Sequence, residues 1–170
     1  AKWAKLVERL RRAYLGGLVF TARSPAEAEA AGFLGELDAI GLLLYPRLRA
    51  DGAPEQEELE RVLRYELGQA IDLGVRWNKP VLLVQVGFPA RASSWSQPMV
   101  PRGALRLGPQ QPYFETFADV LAQGLDNRAT LAGFFLWNWP LAAERAGALD
   151  AGFSLRQKPA ESALRRLFAR

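Results

Sequence analysis

Apolar positions along this chain of 170 residues follow two different spacings. Spacings of three and four, typical of one helix face, recur in several segments, most clearly at Leu59, Leu63 and Leu67. Short continuous apolar runs, typical of strands buried on both faces, lie between these segments. The runs are residues 17–22, 40–45, 81–86 and 132–137. The pattern predicts a helix followed by four strand–helix units.

The start of the second helix is marked by a local signal. Ser24 to Glu27 form a capping box with Pro25 at the first helical position. We expect this helix to continue to about Leu37. In the first helix, Trp3 belongs to the apolar face, and we interpret it as a packing residue.

Strands that are apolar on both faces and alternate with helices predict an α/β fold with a parallel sheet. A doubly wound open sheet and part of a (β/α)8 barrel both fit this pattern. The turn after the first run, residues 21–25, contains no glycine, which argues against a nucleotide-phosphate site there. Polar and aromatic residues collect at the strand ends, as at the rim of a barrel: Thr21, Tyr45, Gln85 and Trp137 to Trp139.

A long segment, residues 88–109, has no clear period and is rich in proline, serine and arginine. Loops of this length in compact domains are usually functional or disordered. The segment follows the third apolar run, so we expect it at the same rim.

The composition restricts the chemistry. The chain contains no cysteine and no histidine, which excludes disulfides, Cys/His zinc sites and histidine general bases. We predict no cofactor and no metal. The net charge of +4 allows anion binding, but the basic residues lie on helix faces among leucines, and no nucleic-acid-binding motif is present. No apolar run approaches the ~20 residues of a membrane span.

Four segments resemble clan-A glycoside hydrolase barrels, and most closely the β-mannanase-like proteins of family 113. Residues 78–87 (NKPVLLVQVG) resemble the seventh strand of such barrels and residues 133–139 (GFFLWNW) the eighth. Residues 38–46 (DAIGLLLYP) resemble the sixth strand, and residues 152–161 (GFSLRQKPAE) the closing segment. The resemblance spans nearly the whole chain but matches only the C-terminal half of a barrel.

The resemblance implies hydrolysis by two carboxylates, an acid/base from the fourth strand and a nucleophile from the seventh. The fourth strand would precede residue 1, and Gln85 stands at the nucleophile position. Leu43 stands at a sixth-strand position that is often acidic in the family. Three explanations remain open: a natural pseudoenzyme, an introduced Glu→Gln change, or a misalignment. Among the remaining acids, only Glu144 and Asp150 are placed where they can approach the rim.

The same resemblance implies a set of substrate-binding residues. Tyr45 would lie beside Gln85, and Trp137 would form the floor of a sugar pocket by stacking on a pyranose ring. For both residues, simple packing at the rim is the alternative. The other candidates are Asn138, Trp139, Trp95 and Arg47, of which Trp95 is also explained by loop packing and Arg47 by solvation.

Half a barrel leaves two sheet edges unpaired, so something should complete it. The candidates are an N-terminal half-barrel, a second copy of the chain, or another protein. The leading functional hypothesis is an inactive glycan-binding or assembly module that binds an oligosaccharide or polysaccharide. An active retaining β-glycosidase with glutamate at position 85 and a structural scaffold are the alternatives. The resemblance also implies an extracytoplasmic location, while the sequence itself assigns no compartment.

Overall fold

The structure is a computed structural model that describes residues 2–48, 53–100, 102–142 and 147–169. Helices and strands alternate along the chain, as the apolar pattern predicts. The elements are α1 Lys2–Ala13, β1 Val19–Ala22, α2 Pro25–Ala30, β2 Ala39–Leu44, α3 Gln56–Trp77, β3 Val81–Val86, α4 Gln110–Gln123, β4 Leu131–Leu136 and α5 Glu161–Phe168. Single turns of 3-10 helix precede β2, at Leu34–Glu36, and β4, at Arg128–Thr130.

The four strands form one parallel sheet in the order β1-β2-β3-β4. Val19 of β1 aligns with Ala39 of β2, and Ala22 aligns with Leu42. Sequential strands are therefore neighbours, which is the strand order of a barrel arc and confirms the predicted α/β class. Within the described residues, β1 and β4 are the two edge strands.

Several element bounds differ from the predictions, among them the start of β1, which lies at Val19 and not at residue 17. Helix α2 ends at Ala30 and not near Leu37, because Gly32 takes a φ of 69° and the chain leaves the helix there. The second and fourth strands end one residue earlier than expected. Tyr45 and Trp137 are therefore the first residues after their strands.

The chain divides into two compact units, and the first comprises Ala1–Leu44, Gly68–Gln85 and Asn127–Phe135. Its buried core includes Ile40 and Leu73. The second half of α3 packs closely in this unit: a Cβ on Gly74 would lie 2.7 Å from the Val81 side chain.

Helix α1, also in the first unit, leaves most of its apolar face uncovered. Only Val7 is buried, and Trp3 is 54% exposed. Trp3 still packs with one face of its indole, because the ring stacks on Phe33 with centroids 5.4 Å apart. Leu6, Leu10 and Tyr14 are likewise exposed.

The second unit comprises Tyr45–Leu67, Val86–Asp126 and Leu136–Arg170. Its core is aromatic. The Phe88 ring lies 4.5 Å from the rings of both Trp95 and Tyr113. The amide of Gln110 donates a hydrogen bond to the Phe88 carbonyl at 2.8 Å. The long segment after β3 thus folds back onto α4 and contributes to this core.

Candidate functional site

Three chain segments of the second unit meet around Gly87, the first residue after β3. A Cβ on this glycine would lie 2.8 Å from the Trp137 carbonyl oxygen, 3.0 Å from the Tyr45 ring and 3.1 Å from the Phe153 ring. These distances leave no room for a side chain. Because residue 87 is a glycine, the chain segments at the strand ends can approach one another closely. The rings of Tyr45 and Phe153 both lie next to this glycine.

Tyr45 is half-buried at this point, and its ring packs edge-on against Phe153 with centroids 6.0 Å apart. Burial raises the pKa of Tyr45 to about 12. The phenol consequently stays protonated at neutral pH, and its hydroxyl can both donate and accept hydrogen bonds.

Trp137 is held beside β3 by its backbone, because its N–H donates to the Val86 carbonyl at 2.9 Å. Its side chain is 44% exposed, and the peptide bond to Asn138 is cis. An exposed indole attached to a fixed backbone is suited to stacking against the apolar face of a sugar ring.

A cavity of about 550 Å³ opens next to these aromatic residues. This volume falls within the range of small-molecule sites, roughly 300–1,000 Å³. Among the described residues, its polar side chains are Asn138 and Asp150. The described residues of the lining are Asn138, Pro140, Leu141, Ala142, Asp150, Gly152 and Phe153.

Asp150 is anchored inside the second unit. Its Oδ1 accepts the Gly152 N–H at 2.8 Å, and its Oδ2 lies 3.1 Å from the Lys158 ammonium. The Lys158 side chain is fully buried. Burial lowers the pKa of Lys158, and the hydrogen bond that its ammonium donates to Asp150 opposes that shift.

The remaining predicted rim residues do not share this cavity. Trp139 lines a separate, mainly apolar cavity of about 420 Å³ with Leu164 and Phe168 of α5. Arg47 is exposed and lines a third cavity, of about 390 Å³, together with Arg102. Asn138, Trp139 and Arg47 thus line three different cavities, and their roles in substrate binding stay predictions.

Trp95 is also placed differently from a sugar-binding residue. Only 4% of its surface is exposed, and its ring packs against Phe88. Its carbonyl accepts the Leu48 N–H at 2.8 Å, which ties the long loop to the segment after β2. Trp95 thus packs within the long loop, and a direct contact with a glycan stays a prediction.

Gln85 lies in the first unit as the fifth residue of β3, and it is half-buried. Its amide can donate and accept hydrogen bonds but carries no charge. Glu144 falls outside the described residues. Within the described residues, no group of three acidic, histidine or cysteine side chains is arranged to hold a metal ion, and no helix has the length and apolarity to cross a membrane.

Phe153 and Gly87 are the site residues that sequence reasoning missed. Both lie within or beside the quoted motifs, but no spacing rule links a residue after β3 to one more than 60 positions later. The signal in the sequence was that Gly87, a residue without a side chain, directly follows a strand. A glycine at such a position is typical of a place where another part of the backbone approaches closely.

A parallel sheet in sequential order is the strand arrangement of an arc of a (β/α)8 barrel. The model of glycoside hydrolase family 113 matches residues 1–158. The chain therefore belongs to glycoside hydrolase family 113.

Solved structures show the same fold. A GH113 β-1,4-mannanase superimposes with a TM-score of 0.77 at 23% identity, covering 99% of this chain and 50% of that one. The GH113 β-mannanase AaManA from Alicyclobacillus acidocaldarius, in complex with ManMIm, has a TM-score of 0.74 at 21% identity, covering 98% and 50%. A β-glucuronidase from Ruminococcus gnavus is more distant, with a TM-score of 0.54 at 19% identity, covering 91% and 26%.

The chain spans about half the length of the mannanase structures that it matches. A comparison with curated proteins finds no match.

Proposed function

We propose that this chain binds a glycan and does not hydrolyse it. The observation that carries the proposal is Gln85 near the end of β3, at the position that resembles the nucleophile of the family. Retaining glycosidases need a carboxylate there to form the glycosyl–enzyme intermediate. A neutral amide nitrogen is not a nucleophile, and an amide cannot stabilise an oxocarbenium ion by charge.

Two features support binding. Trp137 offers a partly exposed indole, and Tyr45 offers a protonated phenol beside Phe153. Aromatic faces and neutral hydrogen-bonding groups together fit the two surfaces of a pyranose, one apolar and one lined with hydroxyls. The substrate class of the β-1,4-mannanase relatives makes β-1,4-linked mannose the first choice of ligand.

Calorimetric titration with β-1,4-mannotriose and with cellotriose tests the binding proposal. We expect heat with at least one of them, and a loss of affinity of about tenfold in Trp137→Ala, because one aromatic stacking contact is removed. Trp3→Ala, which changes an exposed indole in the other unit, serves as the matched control. Absence of heat with both sugars would contradict the proposal.

An active retaining β-glycosidase is the second candidate, and membership of a hydrolase family favours it. In this case glutamate at position 85 would be required for turnover. Gln85→Glu, assayed on β-mannan beside the parent chain, separates the two candidates. Turnover that appears only in the variant would show that this single side chain removes the activity.

We further propose that residues 1–170 form the C-terminal half of a barrel that another polypeptide segment completes. The half-length match to the mannanases supports this, and so does the uncovered apolar face of α1, with Leu6, Leu10 and Tyr14 exposed. An assembly role is the functional consequence. Light scattering on the isolated chain should show dimers or larger species, and a monodisperse monomer with cooperative unfolding would contradict completion by a partner.

A further inference from the structure

We propose that Asp150 and Asn138 form a subsite for a neutral hexose, in which the Asp150 carboxylate accepts hydrogen bonds from sugar hydroxyls. The inference rests on the proposed glycan binding and adds a specific subsite and a ligand class to it. Both side chains line the cavity of about 550 Å³ beside the aromatic strand ends.

Asp150 has hydrogen-bonding capacity that the described residues do not use. A carboxylate offers about four lone-pair positions on its two oxygens. Within the described part of the chain, the Gly152 N–H donates to Oδ1 and the Lys158 ammonium donates to Oδ2. The Asp150 side chain is 27% exposed and forms part of the cavity lining. Its remaining lone-pair positions are therefore available to a molecule inside the cavity.

The carboxylate is held in place before any ligand arrives. The turn from Asp150 to Gly152 is closed by the 2.8 Å hydrogen bond, and a Cβ on Gly152 would lie 2.9 Å from Oδ1. Lys158 also donates to the Gly152 carbonyl, at 3.3 Å. A group that is already ordered loses less conformational entropy on binding, which increases affinity.

Lys158 acts as a positioning residue. Burying an ammonium group costs free energy unless it is paired, and this side chain is fully buried with Asp150 as its ionic partner. The pair fixes the carboxylate at the cavity wall, while the lysine itself is inaccessible to a ligand.

The other walls of the cavity complete the chemistry of a sugar site. The Arg156 guanidinium donates to the carbonyls of Pro140 and Leu141, at 3.3 and 3.0 Å, and so fixes one wall. Phe153 supplies an aromatic ring. Asn138 is exposed and adds an amide that can donate and accept.

The charge of Asp150 is compensated by the Lys158 ammonium 3.1 Å away. The carboxylate therefore acts toward a ligand as a hydrogen-bond acceptor and not as a free negative charge. A neutral hexose supplies hydroxyl donors for such an acceptor.

Titration calorimetry with β-1,4-mannotriose tests the subsite. The double variant Asp150→Asn/Lys158→Met removes both charges, so no unpaired ion is left buried. We expect it to bind mannotriose about 10- to 100-fold more weakly than the parent chain. Asp126→Asn, an exposed acid in the same unit, is the matched control and should bind unchanged.

Three further variants keep the test decisive. Asn138→Ala, at an exposed position, should weaken binding about 3- to 10-fold even if the double variant does not fold. Lys158→Met alone should weaken binding, and Lys158→Arg should recover part of the loss, which a purely steric role of the lysine would not produce.

The outcomes separate the two claims. If the parent chain binds mannotriose, and the double variant and Asn138→Ala bind it equally tightly, the subsite is overturned. The proposal that the chain binds a glycan would then stand. No binding of mannotriose or cellotriose by the parent would overturn the proposed function and the subsite with it.

Discussion

Replacing Gly87 with alanine tests whether the strand ends meet as described. The added methyl group would lie 2.8 Å from the Trp137 carbonyl oxygen, 3.0 Å from the Tyr45 ring and 3.1 Å from the Phe153 ring. The nearest of these atoms belongs to the backbone and cannot rotate away. The strand end or the two rings must therefore shift.

The expected magnitude combines two opposing effects. Overpacking of a filled site costs about 1–3 kcal/mol. Alanine also lowers the conformational entropy of the unfolded chain relative to glycine, which stabilises the folded state by about 0.4–1 kcal/mol. The net loss is about 1–2 kcal/mol, which for a chain of this length lowers Tm by roughly 2–8 °C.

Urea unfolding followed by tryptophan fluorescence measures this loss. Gly108→Ala is the control, because no heavy atom lies within 4 Å of its added methyl group, and we expect it to be neutral or slightly stabilised. If Gly87→Ala and Gly108→Ala unfold at the same urea concentration, the close approach at Gly87 is refuted. Mannotriose binding should also weaken in Gly87→Ala, because Tyr45 and Phe153 are displaced.

Three further predictions concern stability. Within α3, Gly68→Ala should stabilise the chain by roughly 0.5–1 kcal/mol, whereas Gly74→Ala should destabilise it in the same denaturation assay, because its methyl group would lie 2.7 Å from a backbone oxygen. Ser24→Ala should cost about 1 kcal/mol in urea unfolding, because its hydroxyl accepts the Glu27 N–H at 3.2 Å. Burial raises the pKa of Glu66, so ionisation costs stability as the pH rises above the usual pKa of glutamate. Thermal melts should show Glu66→Gln to be more stable than the parent at pH 7, with the advantage disappearing near pH 4.

The elements whose ends carry strong local signals were predictable. Strand β3 has the expected bounds because Pro80 precedes it and Gly87 follows it, and both residues interrupt regular structure. Helix α3 has a long apolar stripe and a single period. In α2, by contrast, small alanines give no distinct period, and the end depends on the backbone conformation of Gly32.

The candidate site was predictable only in part. Tyr45 and Trp137 follow strands whose carboxyl ends lie at one edge of a parallel sheet, so a pattern argument places them. Asn138 and Trp139 line different cavities because of the path that the loops take. The loop sequences have no periodic pattern from which this path could be predicted. Phe153 reaches Tyr45 from more than 100 positions away, and that contact depends on tertiary packing alone.

Binding and hydrolysis measured on one sample test the central claim most directly. The parent chain is titrated with β-1,4-mannohexaose in the calorimeter, and the recovered solution is assayed for newly formed reducing ends. The account predicts heat of binding with no new reducing ends, because Gln85 supplies no nucleophile. Release of reducing ends by the chain that carries Gln85 would contradict it.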